Sequence, residues 1–354
     1  MIPMILLDRA SIEAAHLDAL SKSVSDKFQN LVKEYASRSN YSKGVLDKVR
    51  AYLKKLDDAS VGRILIMNVH EQRALVSSMD DILPIGHFYR RKKKSEKDRA
   101  FAEVNKRLEK VFDYDEFARM SGKWGLMELA LQLNKTVKVC PYCNGEYVFA
   151  FKLDKLASDR PGKACKSPFD HYFPRARYPF LGLSLYNLIP SCPRCNSSMK
   201  KDKFKGLVDM PHPYDNSSET GYKSMHEGMQ FRVLVSQIKA FTSCSTENID
   251  AVLLTERIKG TYLAGKCWER MFRLNESYSN IYLGRVADTM CKSVGYTASY
   301  FEELKGRLSR LGLPVGDVER LVYGASLQQN DINRTPFAKM TIDLYETYST
   351  LAGR

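Results

Sequence analysis

Two cysteine pairs, in VCPYCN (Val139 to Asn144) and SCPRCN (Ser191 to Asn196), constrain this chain more than any other feature. A CxxC turn aims two thiolates at one centre, and two such turns supply the four sulfurs of a closed tetrahedral zinc site. Cys140, Cys143, Cys192 and Cys195 are therefore read as ligands of one structural zinc, which holds the fold and leaves no position open for chemistry. Iron is the lesser alternative, because four thiolates suit it as well. A redox dithiol needs only one such pair, and disulfides do not fit the expected compartment. Cys165, Cys244, Cys267 and Cys291 are scattered without a framework spacing. The opening MIPMILLDRA is interrupted by Asp8 and Arg9 too early for a signal-peptide core, and no apolar run reaches membrane-span length. The expectation is a cytoplasmic protein with no membrane partner.

Charge divides the 354 residues unevenly. Residues 136–213 hold 13 Lys and Arg against 6 Asp and Glu, half of the net +14, whereas residues 214–354 are near neutral at 17 against 16. A polyanionic partner should therefore meet the middle of the chain and parts of residues 1–135, which hold 25 against 19.

The hydrophobic pattern gives the surroundings. Ile12, Leu20, Val24, Phe28 and Leu31 recur at helical steps after Ser11, a candidate cap, and Val45 to Leu56 continue the pattern in a second helix. Further helices are expected over Phe101 to Phe112 and Phe117 to Leu133. The run RRKKKSEKDR, Arg90 to Arg99, reads equally as a solvated loop or first helical turn and as a phosphate contact. Past residue 213, Gln230 to Gln237 alternates like a strand, and helices are expected over Ile249 to Lys259, Tyr262 to Cys291, Tyr300 to Leu311 and Phe337 to Leu351. Trp268, Phe272, Tyr278 and Tyr282 read as core. The fold class is α+β: a basic helical region at 1–135, a small zinc-stapled unit at 136–213, and a mainly helical region at 214–354.

Between the cysteine pairs, Asp170-His171 is followed by Asn187 and then Asn196. Phosphodiester hydrolysis needs a base to activate water, a divalent cation to neutralise the phosphate and the departing oxygen, and a group that orients the base. These four residues can fill those roles. Each has a plainer reading, His171 as a core histidine and Asn187 as a turn residue, and their company favours chemistry. The stretch resembles the HNH (ββα-metal) endonuclease motif in its form with two CxxC zinc knuckles. The resemblance covers about Val139 to Pro213 and implies two short strands and a helix around one catalytic ion, Mg2+ or Mn2+. It makes His171 the general base, Asp170 and Asn196 the ligands of that ion, and Asn187 the residue that orients the imidazole. Many members carry a final His where this chain has Asn196, and a neutral oxygen donor suits a hard, exchangeable ion.

Arg175 and Arg177 are candidates for gripping phosphates near the cleaved bond, with the alternative of bracing a loop. Lys200 and Lys201, with Lys203 and Lys205 behind them, are candidates for sequence-blind backbone contacts. His212 reads as structural. The forms DHYFP, LSLYNLIPSC and RTPFAKMTIDLY (Arg334 to Tyr345) further resemble the HNH nucleases of bacterial anti-phage operons of the Septu and Zorya types. That resemblance implies DNA as substrate and an ATPase partner, with the near-neutral residues 214–354 as a docking surface. The alternatives are a stand-alone restriction-like or mobile-element enzyme, which lacks a recognisable sequence-reading module here, and a catalytically inactive zinc-stapled DNA-binding module.

Overall fold

The computed structural model describes residues 4, 6–82, 95–120, 123–152, 165–200, 210–215, 225–236, 245–312 and 318–349. The fold is mostly helical, with three two-stranded antiparallel sheets among the described residues and a buried four-cysteine cluster between helical regions.

The apolar stripe of the first helix sets the N-terminal layer. In α1 (Arg9–Ser37) Ile12, Leu20, Val24, Phe28 and Leu31 are buried along one face, as a period of 3.6 requires. His16 falls on that same face. Ser11 lies inside the helix, which opens instead at Asp8, a left-handed residue (φ 55°) whose side chain makes no cap bond. α1 packs on α2 (Lys43–Asp58) and α3 (Val61–Ile64), and α4 (Val69–Ile82) buries Val69, Leu75, Val76 and Met79 nearby. α5 (Glu96–Val111) begins in a reciprocal cap in which the Ser95 hydroxyl accepts from the Asp98 backbone N–H and the Asp98 carboxylate from that of Ser95. Of the basic run, Ser95 to Arg99 thus form a cap and first turn, and Arg90 to Lys94 lie outside the described residues.

Three expectations are corrected. The single helix over 117–133 is two, α6 (Tyr114–Arg119) and α7 (Leu126–Leu133). The chain turns at Gly125, where an added Cβ would stand 2.8 Å from that of Met120. The expected helix from Ile249 is a strand, β6 (Ile249–Glu256), paired antiparallel with β5 (Met229–Val235), with Phe231 opposite Leu254 and Val233 opposite Val252. Pairing to a neighbour far back in sequence decides its state, as is usual for strands. The long helix over 262–291 breaks into Tyr262–Phe272 and Leu283–Gly295, separated by left-handed Arg273 (φ 50°) and a π-helical turn at Ser277–Ile281.

The middle region carries the remaining strands. β1 (Ala150–Phe151) pairs with β2 (Cys165–Lys166), and β3 (Phe169–His171) pairs with β4 (Leu188–Pro190) in the register Asp170 opposite Ile189. A short π-helical segment, Arg194–Lys200, follows β4 directly. One continuous core includes Phe28, Leu108, Tyr172, Leu188, Trp268 and Leu344, so it runs through all three expected regions. The C-terminal block docks on the first cysteine turn: the Asn144 side chain donates to Ile332 O (2.9 Å) and accepts from Lys339 N (2.9 Å), while its own carbonyl accepts from Phe337 N (2.5 Å). RTPFAKMTIDLY thus contains residues that clasp the cysteine unit. Trp268, Phe272, Tyr278 and Tyr282 are all buried, as their spacing leads one to expect. No helix among the described residues is long and apolar enough to cross a membrane.

Candidate active site and metal centre

The two CxxC turns meet. The sulfurs of Cys140, Cys143, Cys192 and Cys195 all lie within 4.8 Å of one another and all four residues are buried. Four sulfurs about 2.3 Å from a tetrahedral centre stand about 3.8 Å apart, and Cys143 Sγ is 3.9 Å from Cys192 Sγ. That spacing fits a shared ion and is far too long for a disulfide. Backbone N–H groups of Gly145 and Cys195 donate to Cys143 Sγ and Cys192 Sγ, both at 3.4 Å, and so support thiolate charge. The donor set is that of a structural zinc site. Among the described residues no second group of three or more His, Cys, Asp or Glu side chains is gathered this closely.

The rest of the turn reaches further than its sulfurs. Tyr142, between the first two cysteines, is fully buried, its ring stacked on Phe272 (4.3 Å) and its carbonyl held by Trp268 Nε1 (2.7 Å). Its hydroxyl donates to Asp170 Oδ2 at 2.5 Å. The metal cluster and the Asp170-His171 strand are thereby coupled through one side chain. Nothing in the sequence beyond Tyr142's place between two ligands signalled this.

Asp170, His171 and Asn196 share one cavity of about 470 Å³, with Phe169, Pro174, Arg175, Ser197 and Glu109 among its walls. β3 supplies Asp170 and His171, and the helical segment anchored by Cys192 and Cys195 supplies Asn196. Asn196 Nδ2 makes one long bond to Phe169 O (3.4 Å). His171 Nε2 lies 3.0 Å from Gly182 O. A carbonyl only accepts, so Nε2 carries the proton and a neutral ring keeps its lone pair on Nδ1. Burial pushes the His171 pKa down to about 4, with Arg175 and Lys200 adding repulsion and the Gly182 bond opposing. The ring is therefore neutral near pH 7. Tyr114 of α6 packs edge-on against it at 4.5 Å. Gly182 itself is pressed against its neighbours, because an added Cβ would meet Pro179 O at 3.0 Å and Phe112 O at 3.1 Å.

Asn187 is fully buried and does not bond the imidazole. Its Oδ1 accepts from Phe173 N (2.7 Å), and its Nδ2 donates to Phe173 O (3.1 Å) and Leu181 O (3.0 Å). It closes the loop that connects β3 to β4, and Leu181 immediately precedes the carbonyl that holds His171. Any orientation of the ring by Asn187 is exerted through that backbone.

The basic candidates separate by burial. Arg175 lines the cavity, one third exposed, with its guanidinium near Asp115 (3.1 Å) and over the Tyr114 ring. Arg177 is 5% exposed and pairs with Asp80 at 2.9 Å, so it braces α4 against the loop and is not available to a phosphate. Lys200 is 0% exposed. Its ammonium donates to Asp170 Oδ1 (2.9 Å) and His171 O (2.7 Å), which corrects its reading as a surface contact. Lys201, Lys203 and Lys205 lie outside the described residues. His212 is buried against the Tyr172 ring (4.0 Å) with Nδ1 accepting from Tyr214 N (3.1 Å), away from the cysteine cluster.

Nothing in the sequence signals Glu109 or Tyr114, since they come from N-terminal helices far from the motif, and only the fold brings Glu109 to the cavity wall and Tyr114 against the His171 ring. Compared with known proteins, the chain matches no family model, no curated protein and no solved structure.

Proposed function

We propose that this protein is a divalent-metal-dependent endonuclease of the HNH (ββα-metal) type that hydrolyses phosphodiester bonds of DNA. The observation that carries the reading is the shared cavity: a neutral histidine with a free Nδ1 lone pair, a carboxylate and an amide side chain face one space. β3 delivers the histidine and the carboxylate, and the helical segment after β4 delivers the amide.

In this reading His171 is the general base, and its Nδ1 takes a proton from the attacking water while Nε2–H stays bound to Gly182 O. Asp170 and Asn196 would hold Mg2+ or Mn2+, whose hard-ion preference a carboxylate and an amide oxygen suit. When bound, that ion supplies charge neutralisation for the phosphate and the departing oxygen. In this scheme Arg175, on the cavity wall, contacts a phosphate oxygen. The structural zinc does no chemistry in this scheme. It fixes Asn196 through Cys192 and Cys195, and Asp170 through Tyr142.

The operon context, an ATPase partner and a role in anti-phage defence are part of the proposal and rest on the sequence resemblance of DHYFP and LSLYNLIPSC. Support from RTPFAKMTIDLY is weaker, since that block has a structural task in clasping Asn144.

The test is a supercoiled-plasmid assay with Mg2+ or Mn2+, comparing wild type with His171→Ala at equal zinc content. Relaxed or linear product from wild type and none from the variant is expected. Equal cleavage by both would remove His171 as the base and with it the proposal.

A further inference from the structure

Lys200, by sequence a candidate for a DNA-backbone contact, is instead tethered beside Asp170. Asp170 is 4% exposed and Lys200 not at all. The Lys200 ammonium lies 2.9 Å from Asp170 Oδ1 and 2.7 Å from His171 O, while the Tyr142 hydroxyl takes Oδ2. A carboxylate this deeply buried without a counter-charge is costly, so Lys200 satisfies a need that exists whenever no other cation is present. Lys200 also ends the segment that bears Asn196, one helical turn earlier. The same element thus brings to Asp170 both an oxygen donor and a positive charge. Besides Asp170, the charged side chains that line the cavity are Glu109 and Arg175, which come from other parts of the chain, and Lys200 stands behind Asp170.

We infer that Lys200 is a built-in counter-ion of Asp170 that competes with the divalent cation for that carboxylate. The inference rests on the reading that Asp170 and Asn196 take the ion. Lys200 holds the empty site in shape, since its bonds to Asp170 and to His171 O fix both ends of the Asp-His pair. It also sets the affinity. An arriving divalent ion meets a positive charge already paired with its own ligand, so it binds weakly unless the ammonium moves aside. Tyr142 exerts no such opposition, because its hydroxyl is neutral. Movement at the end of the 194–200 segment therefore becomes a means of raising metal affinity without altering any ligand.

The test uses the full-length, zinc-loaded protein and Mn2+ alone, with binding followed by calorimetry and by the paramagnetic resonance signal of the free ion. Lys200→Gln removes the charge and retains a hydrogen-bond donor, Lys200→Arg retains the charge, and Tyr142→Phe removes only a neutral bond. The Gln variant should bind Mn2+ at least about tenfold more tightly than wild type, the scale of effect expected when a nearby buried charge is removed. Arg should stay within about threefold, and Phe should not tighten binding. A Gln variant that keeps its zinc and its melting transition yet binds no tighter than wild type overturns the inference, as does an Arg variant that tightens equally.

A second measurement needs no variant. Amine acylation mapped by mass spectrometry should find Lys200 unreactive in zinc-loaded wild type without Mn2+ and reactive at saturating Mn2+. Unchanged protection with Mn2+ bound would overturn displacement. Absence of Mn2+ binding in wild type and every Lys200 variant alike would sink the underlying metal-site reading as well, which separates the two failures.

Discussion

Asn187 makes its three side-chain bonds to one loop, and its loss should be felt in two ways. Asn187→Ala removes the side-chain partner of Phe173 N and Phe173 O in a buried site, where each orphaned group costs about 1–3 kcal/mol, while Leu181 O keeps its bond from Ser184 N. We expect a fall of about 3 kcal/mol in unfolding free energy by urea titration, with zinc content preserved and cleavage lost. Loss of cleavage with undiminished stability would mean that Asn187 acts on the reaction directly. At this scale the sequence was legible where chemistry imposes spacing: the four cysteines gather as their two pairs lead one to expect, and Asp170, His171 and Asn196 line one cavity. Burial of charged side chains was not legible. Lys200 and Arg177 look like surface cations in a string of letters, and only the fold shows that both are buried, Lys200 against buried Asp170 and Arg177 against half-buried Asp80.

His16 gives a pH prediction of the same kind. Its Nε2 donates to Leu183 O (2.8 Å), its Nδ1 accepts from Trp124 Nε1 (3.2 Å), and burial lowers its pKa to about 4. The unfolded chain, with an ordinary value near 6.5, takes up the proton first. Its contribution to stability is therefore full above about pH 6.5 and is lost progressively as the pH falls toward 4, by about 3 kcal/mol. Melting temperatures recorded across this window should drop, and His16→Gln should flatten the part of that drop due to this site. An identical slope in the variant would assign the effect to other groups.

Among elements, the strand β5 and the C-terminal helix Ala338–Tyr348 are joined by a buried ion pair. Lys339 Nζ lies 2.5 Å from Asp343 Oδ1 and also donates to Met229 O (2.7 Å), while Asp343 Oδ2 accepts from Phe231 N (2.8 Å). Asp343→Ala leaves a buried ammonium uncompensated, and by chemical denaturation it should cost about 3–5 kcal/mol. The double variant Lys339→Met, Asp343→Leu should recover much of that loss, since an apolar pair of similar volume avoids burying either charge. A double variant as unstable as the single one would show that the bonds to Met229 and Phe231 matter more than the charges. The helix itself was legible from periodicity. Its attachment to β5 was not, and neither was β6, because in Ile249 to Glu256 the residues Ile249, Val252 and Leu253 fall at helical steps while Val252 and Leu254 fall at strand steps, and only the partner strand decides between them.

For the whole molecule, the four-cysteine centre is a junction. Asn144, Tyr142 and Cys143 bind the C-terminal region through Lys339, Trp268 and Tyr278, whose hydroxyl donates to Cys143 O at 2.9 Å. Stripping the metal with a strong chelator, or replacing Cys192 by Ser, should therefore raise amide exchange across 262–282 as well as across 188–200, while α1 and α2 stay protected. Exchange confined to the cysteine turns would show that the C-terminal contacts stand without the metal. The division into three regions suggested by charge and texture does not describe how the core is shared, since apolar side chains reveal their own burial and not their partners.

The chain has two tryptophans, and the fold assigns them to different events. Trp268 hydrogen-bonds the cysteine turn, and Trp124 hydrogen-bonds His16 in the N-terminal helices. Light emitted by the first should change when metal leaves, and light from the second should dim as His16 gains a proton. Single Trp→Phe variants thus turn the native protein into a pair of optical gauges, one for its metal and one for its acidity, with no dye attached.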